Sequence, residues 1–173
     1  MYIAEYILNV LLLVVFVWVC LFLTTLAHEA GHVVIYRILF RDKNWRIVVG
    51  SGKAIAKFKR FTFGIIPVFG AYTGEYKHQG GSKFQHIMVY LGGPLANLLF
   101  IVLLVLLKVS LPESINPNYT WFLGFTFWAN VFQLANSLIP MKYSYHPFPG
   151  AISDGMRVMN KIAEKEKKPS SLP

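Results

Sequence analysis

The sequence predicts an all-α polytopic membrane protein: three transmembrane helices, with a short β-hairpin or re-entrant segment between the first and second. Three observations predict it. Of 173 residues, 55% are hydrophobic and 16% aromatic, and the mean hydropathy is positive, a balance foreign to an ordinary soluble domain. The apolar residues collect into long runs at about 2–40, 84–109 and 120–140, and about 20 apolar residues suffice to cross the hydrocarbon of a bilayer. Basic residues flank those runs: ten of the seventeen lysines and arginines lie between Arg37 and Lys83, the pattern of a loop on the cytoplasmic face.

The formal net charge of +9 is therefore of the kind that meets a lipid surface, and no nucleic-acid partner is expected. Cys20 is the single cysteine, which excludes an internal disulfide and a C-x-x-C metal site.

Met1 to Tyr6 carries no lysine or arginine, and the apolar run beyond it outlasts a signal-peptide core. The first run thus reads as a retained helix over 2–40, with Arg37 marking its exit. Near its end stands His28-Glu29-Ala30-Gly31-His32. On a helix, two histidines four apart project from one face, one turn above the other, so both imidazoles reach a single metal ion. Glu29 is rotated from that face by roughly a hundred degrees. That suits a carboxylate that is not a ligand but takes a proton from water beside the ion and delivers it to a leaving amine, as in H-E-x-x-H zinc sites. On a soluble helix the same five residues would be a solvated face. Within an apolar run, ionisable groups are costly and are kept where they line a cavity and do chemistry.

Between 41 and 83 lies a cytoplasmic or re-entrant loop. Within it, Trp45 to Val49 and Ala54 to Lys59 read as two short strands joined by Gly50-Ser51-Gly52. The G-x-x-x-x-G-K-[ST] spacing of a phosphate loop is absent. Phe61 to Tyr72, broken by Gly64, Pro67 and Gly70, is too short to span and reads as a re-entrant segment.

The second run carries Gly92-Gly93-Pro94 near its start, small residues for close helix contact and a proline that frees a carbonyl. Asn97 follows, an amide inside an apolar run that needs a partner on another helix or a substrate backbone. Along the third run Asn130, Gln133, Asn136 and Ser137 recur at helical spacing, a polar stripe for the interior of a bundle. The chain ends in a loop rich in proline and tyrosine, then Asp154-Gly155, and a lysine-rich tail over 156–173 that belongs in the cytoplasm. Three crossings then put the N-terminus outside, in a multi-pass protein of the cell membrane.

The HEAGH pentad, the Ile66-Pro67-Val68-Phe69-Gly70-Ala71-Tyr72 loop, Gly92-Gly93-Pro94-Leu95-Ala96-Asn97, Asn136 with Pro140, and Asp154-Gly155 occur in that order. This series resembles the site-2 protease family of intramembrane zinc metalloproteases, the M50 peptidases, over nearly the whole chain. The resemblance implies a single membrane-embedded metalloprotease domain over 1–173, the bare three-helix core of that family. It implies one Zn²⁺ held by His28, His32 and Asp154, with Glu29 as general base. It implies that Asn97 and Asn136 hold the substrate backbone or the oxyanion, and that the partner is a transmembrane protein or peptide substrate within the lipid bilayer. Nothing in the sequence specifies a copy number.

The chain departs from the family pattern in two places. An insertion with Tyr143, Tyr145 and His146 separates Asn136 from Asp154, and Ser153 stands where leucine is usual before the aspartate. His146 is accordingly the alternative third ligand, since imidazole serves zinc as well as carboxylate does. Five histidines are too few for a membrane di-iron oxygenase, and a metal transporter would carry ligands along several helices. A catalytically silent member that binds a partner helix is the alternative function.

Overall fold

The computed structural model describes residues 2–74, 81–112, 117–144 and 150–164. His78, Tyr145, His146 and the lysine-rich end of the tail lie outside them. The described chain is mostly helical, with α1 Tyr2–Phe40, α2 Lys83–Ser110, α3 Pro117–Leu138 and α4 Asp154–Ala163, and a two-stranded antiparallel sheet of β1 Trp45–Lys57 and β2 Phe61–Gly74.

Helix α1 is apolar almost from its first residue, and it stops at Arg41, whose φ of 54° is the left-handed conformation that ends a helix. Helix α2 starts on a capping box: the Ser82 hydroxyl accepts from the Gln85 N–H and the Gln85 side chain accepts from the Ser82 N–H. These two helices are long and apolar enough to cross a membrane. Leu12 and Val14 on α1 and Leu103 and Leu106 on α2 are exposed, in faces too large for a surface meant only for water.

Small residues let α1 and α2 touch. A Cβ built on Gly31 would lie 2.3 Å from the Gly92 carbonyl oxygen and 2.6 Å from the Ala96 Cβ, so only glycine allows this crossing. Helix α3 joins through aromatic contacts, with the Phe16 and Phe122 ring centroids 4.1 Å apart.

The segment between α1 and α2 corrects one expectation. Gly50-Ser51-Gly52 is not the hairpin turn. Gly50 and Gly52 have φ of 81° and 77° but sit inside a continuous, bulged β1, and the chain reverses at 58–60 instead. The physical reason is pairing: Val49 has both Phe63 and Gly70 as ladder partners, so the segment after Phe61 supplies strands on both of its sides. Glycines at positive φ absorb the bulge that this requires. The Phe61 to Tyr72 stretch is thus strand, and it is tied to α1 where Trp18 Nε1–H donates to the Ile65 carbonyl at 2.8 Å and the Thr25 hydroxyl to that of Pro67 at 3.0 Å. Under the sheet, Val33, Ile47 and Val49 form a buried cluster with Phe22, Leu26 and Phe63 packed on it.

Candidate active site and metal centre

His28 and His32 lie on the face of α1 turned to α2, both buried. Their rings meet edge to face with centroids 4.9 Å apart, and their Nε2 atoms are 3.2 Å apart. The third group comes from the other end of the chain. Asp154 Oδ2 lies 3.2 Å from His28 Nε2 and 3.4 Å from His32 Nε2.

Asp154 reaches this place because the chain on either side of the insertion is pinned together. The Tyr143 N–H donates to the Ala151 carbonyl at 2.8 Å and the Ser153 N–H to that of Met141 at 3.0 Å. Ser153 then caps α4: its hydroxyl accepts from the N–H groups of Met156 and Met141 and donates to the Ile139 carbonyl at 2.7 Å. The residue that departs from the family pattern is thus the clasp between the end of α3 and the start of α4. Gly155 completes it, since a Cβ there would lie 1.9 Å from the Leu138 carbonyl oxygen.

The donor set fits zinc. Ligands about 2.0–2.1 Å from a tetrahedral zinc stand roughly 3.3 Å from one another, and the three facing atoms are separated by 3.2, 3.2 and 3.4 Å. Each histidine has its other nitrogen engaged: His32 Nδ1 with the Val89 carbonyl at 2.7 Å, and His28 Nδ1 with Asn97 Oδ1. The Gly93 N–H also approaches His32 Nδ1, at 3.2 Å, but the Val89 carbonyl is the closer partner and can only accept, so we assign the proton to His32 Nδ1 and the lone pair to its Nε2. The space between the rings is kept by Gly93, where a Cβ would sit 2.4 Å from His32 Nε2 and 2.5 Å from His28 Nε2.

Glu29 is buried on the adjacent face, against β2; a Cβ on Gly70 would lie 2.6 Å from its Oε1. Glu29 and the three clustered groups line one cavity of about 420 Å³, with Thr25, Gln133, Asn136, Tyr143 and Arg157 contributing polar wall. Asn136 is therefore on the cavity, its Nδ2 donating to the Phe132 carbonyl of its own helix at 3.0 Å. Asn97 is elsewhere. It is fully buried behind the His28 ring, with one end of its amide on His28 and the other on Asn130.

Sequence reasoning did not single out Gln133, Arg157 or Ser153 as parts of the site. Gln133 carried a signal in the polar stripe. Ser153 carried one as a serine immediately before a short helix. Arg157 carried none, since a lone arginine after Asp-Gly resembles any other basic tail residue.

No curated protein matches the sequence. Residues 16–171 match the model of a family described as Peptidase family M50. Two apolar helices with exposed faces, and this family, mark a membrane protein. With its histidine pair, glutamate and aspartate gathered at one cavity and its sequence matched over nearly all its length, the chain belongs to the M50 peptidases, the family of site-2 protease type metalloproteases.

Proposed function

We propose that this protein is an intramembrane zinc metalloendopeptidase that hydrolyses peptide bonds in or near the transmembrane segments of other membrane proteins. One observation carries the reading: His28, His32 and Asp154 converge to ligand spacing in the wall of a cavity that also holds Glu29. In this reading α1, α2 and α3 all cross the bilayer, with the N-terminus outside and the site opening towards the cytoplasm.

His28, His32 and Asp154 hold one zinc, which when bound supplies a Lewis acid that polarises the scissile carbonyl and a lowered pKa for water. Glu29 is the base. Its carboxylate takes a proton from the attacking water and passes it to the departing amine, a contribution of typically 10²–10⁴-fold. Asn136 and Gln133, one turn apart on α3 and both on the cavity, are placed to bond the backbone of an unwound substrate. A helical peptide bond has its carbonyl engaged, so the substrate must be extended where it is cut, and an amide wall opposite β2 suits an extended chain.

The test is zinc content in detergent beside cleavage of a membrane-embedded peptide. The wild type should hold about one zinc per chain, lost in His28→Ala and Asp154→Ala and kept in His146→Ala. Glu29→Gln should keep zinc and lose cleavage. Unchanged cleavage by Glu29→Gln on any accepted substrate would remove the mechanism; a wild type without tightly held zinc would favour a silent, helix-binding role.

A further inference from the structure

We propose that Asn97 and Asn130 form a relay that fixes the tautomer of His28, so that a backbone carbonyl of α3 decides which nitrogen of this ligand faces the metal. The inference rests on the reading of His28, His32 and Asp154 as a zinc site.

One group in this chain of contacts has a fixed role. The Thr126 carbonyl oxygen can only accept. Asn130 Nδ2 donates to it at 2.9 Å, and to the Thr24 hydroxyl on α1 at 3.3 Å. With its amino end committed, Asn130 turns Oδ1 towards Asn97, and Asn97 Nδ2 donates to it at 3.1 Å. Asn97 must then present Oδ1 to His28 Nδ1, which accordingly carries the proton. His28 Nε2 is left with its lone pair, directed at His32 and Asp154.

Both asparagines are 0% exposed, so no solvent can rescue a reversed amide. Flipping either one would set oxygen against oxygen or N–H against N–H at two contacts, the penalty that holds a buried polar network in one sense. The two histidines thus receive the same instruction by different routes. His32 takes it directly from the Val89 carbonyl of α2, and His28 takes it from α3 through two amides. Asn97 and Asn130 are in this account positioning residues, and the amide of Asn97 is spent on the ligand rather than offered to a substrate. Helix α3 supplies no ligand, yet it governs one.

Partners of this kind behind a metal ligand are worth about 10–100-fold in metal affinity. The experiment is competition for Zn²⁺ by a chelator of known affinity, on the full chain in detergent, with ¹⁵N-histidine NMR of the metal-free protein. Asn97→Leu should bind zinc about 10–100-fold more weakly. Asn97→Asp, which keeps an acceptor towards Nδ1–H but sets an oxygen against Asn130 Oδ1, should lose clearly less zinc affinity than Asn97→Leu. Asn130→Leu, which frees the Asn97 amide to turn, should weaken zinc and convert His28 from the single Nδ1–H tautomer to a mixture. Should Asn97→Leu not fold, Asn97→Asp and Asn130→Leu still read the relay. Wild-type affinity in Asn130→Leu with an unchanged tautomer overturns it, as does a loss in Asn97→Leu that Asn97→Asp shares. A wild type that binds no zinc overturns the metal-site reading instead, which the NMR tautomer measurement separates from the relay.

Discussion

Gly93 illustrates how little room the centre leaves at the scale of one residue. A methyl group there would stand 2.4 Å and 2.5 Å from the two histidine nitrogens, in the place a metal would take. Gly93→Ala should therefore weaken zinc by more than the roughly 10–100-fold that an outer partner costs; equilibrium dialysis against labelled zinc checks it. Gly31 is constrained differently, because its neighbour is backbone: a Cβ would meet the Gly92 carbonyl oxygen at 2.3 Å. Gly31→Ala must push α1 from α2, and overpacking of this kind costs about 1–3 kcal/mol, to be read as a lowered thermal midpoint in detergent. A pattern of small residues was legible in the sequence. Which small residue faces the two histidines and which the helix crossing was not, because the distinction depends on what lies opposite.

At the scale of the element, α4 and β2 each bring one requirement to α1. Helix α4 brings Asp154, and its start depends on Ser153. Loss of a serine N-cap costs about 1 kcal/mol, but Ser153 also bonds Ile139 and Met141. Ser153→Ala should lower zinc affinity as well as stability, whereas a cap whose only effect was on helix stability would leave zinc binding unchanged; chelator competition separates the two. Strand β2 brings Gly70 against Glu29 and Thr25, with a built Cβ 2.6 Å from Glu29 Oε1 and 2.8 Å from Thr25 Cγ2. Gly70→Val should keep its zinc and cut cleavage by roughly 100-fold, the lower end of what a displaced general base costs. In sequence this strand reads as a broken apolar segment after a hairpin at Gly50 to Gly52, and the structure moves the turn to 58–60. Glycine at positive φ serves a turn and a bulge equally, and only the ladder partners tell them apart.

For the whole molecule, charge is distributed unevenly along the chain. The basic residues of β1 fall between Arg37 and Lys83 in the chain, while the short segment after Ser110 carries little charge. The proposed arrangement of three crossings with the N-terminus outside draws on that asymmetry. Single cysteines placed at Asn9 and Asn118 in a Cys20→Ala background should react with an impermeant maleimide in intact cells, and one at Lys59 should react only after lysis. Labelling of Lys59→Cys in intact cells would invert the arrangement. In the proposed site metal and fold are coupled at the same scale, since the three candidate ligands come from α1 and from α4, far along the chain. Removal of zinc by a chelator should lower the thermal midpoint, through the loss of a ligand that binds only the folded state.

The sequence by itself determined the long apolar helices and the placing of two histidines and a glutamate on α1, because hydropathy and the 3.6-residue period act over a few neighbouring residues. It also made the family recognisable from an ordered series of short motifs. Only the tertiary structure decided what those motifs touch. His28 and Asp154 are 126 residues apart in the chain and 3.2 Å apart in space, and the insertion between Asn136 and Asp154 hides that approach until the bonds closing it at Tyr143 and Ser153 are seen. Asn97 was legible as an amide in need of a partner, yet whether that partner was substrate or ligand depended on how α2 and α3 pack around His28. Hydrogen bonding between distant residues has no local signature, and it is what sets Asn97 between His28 and Asn130.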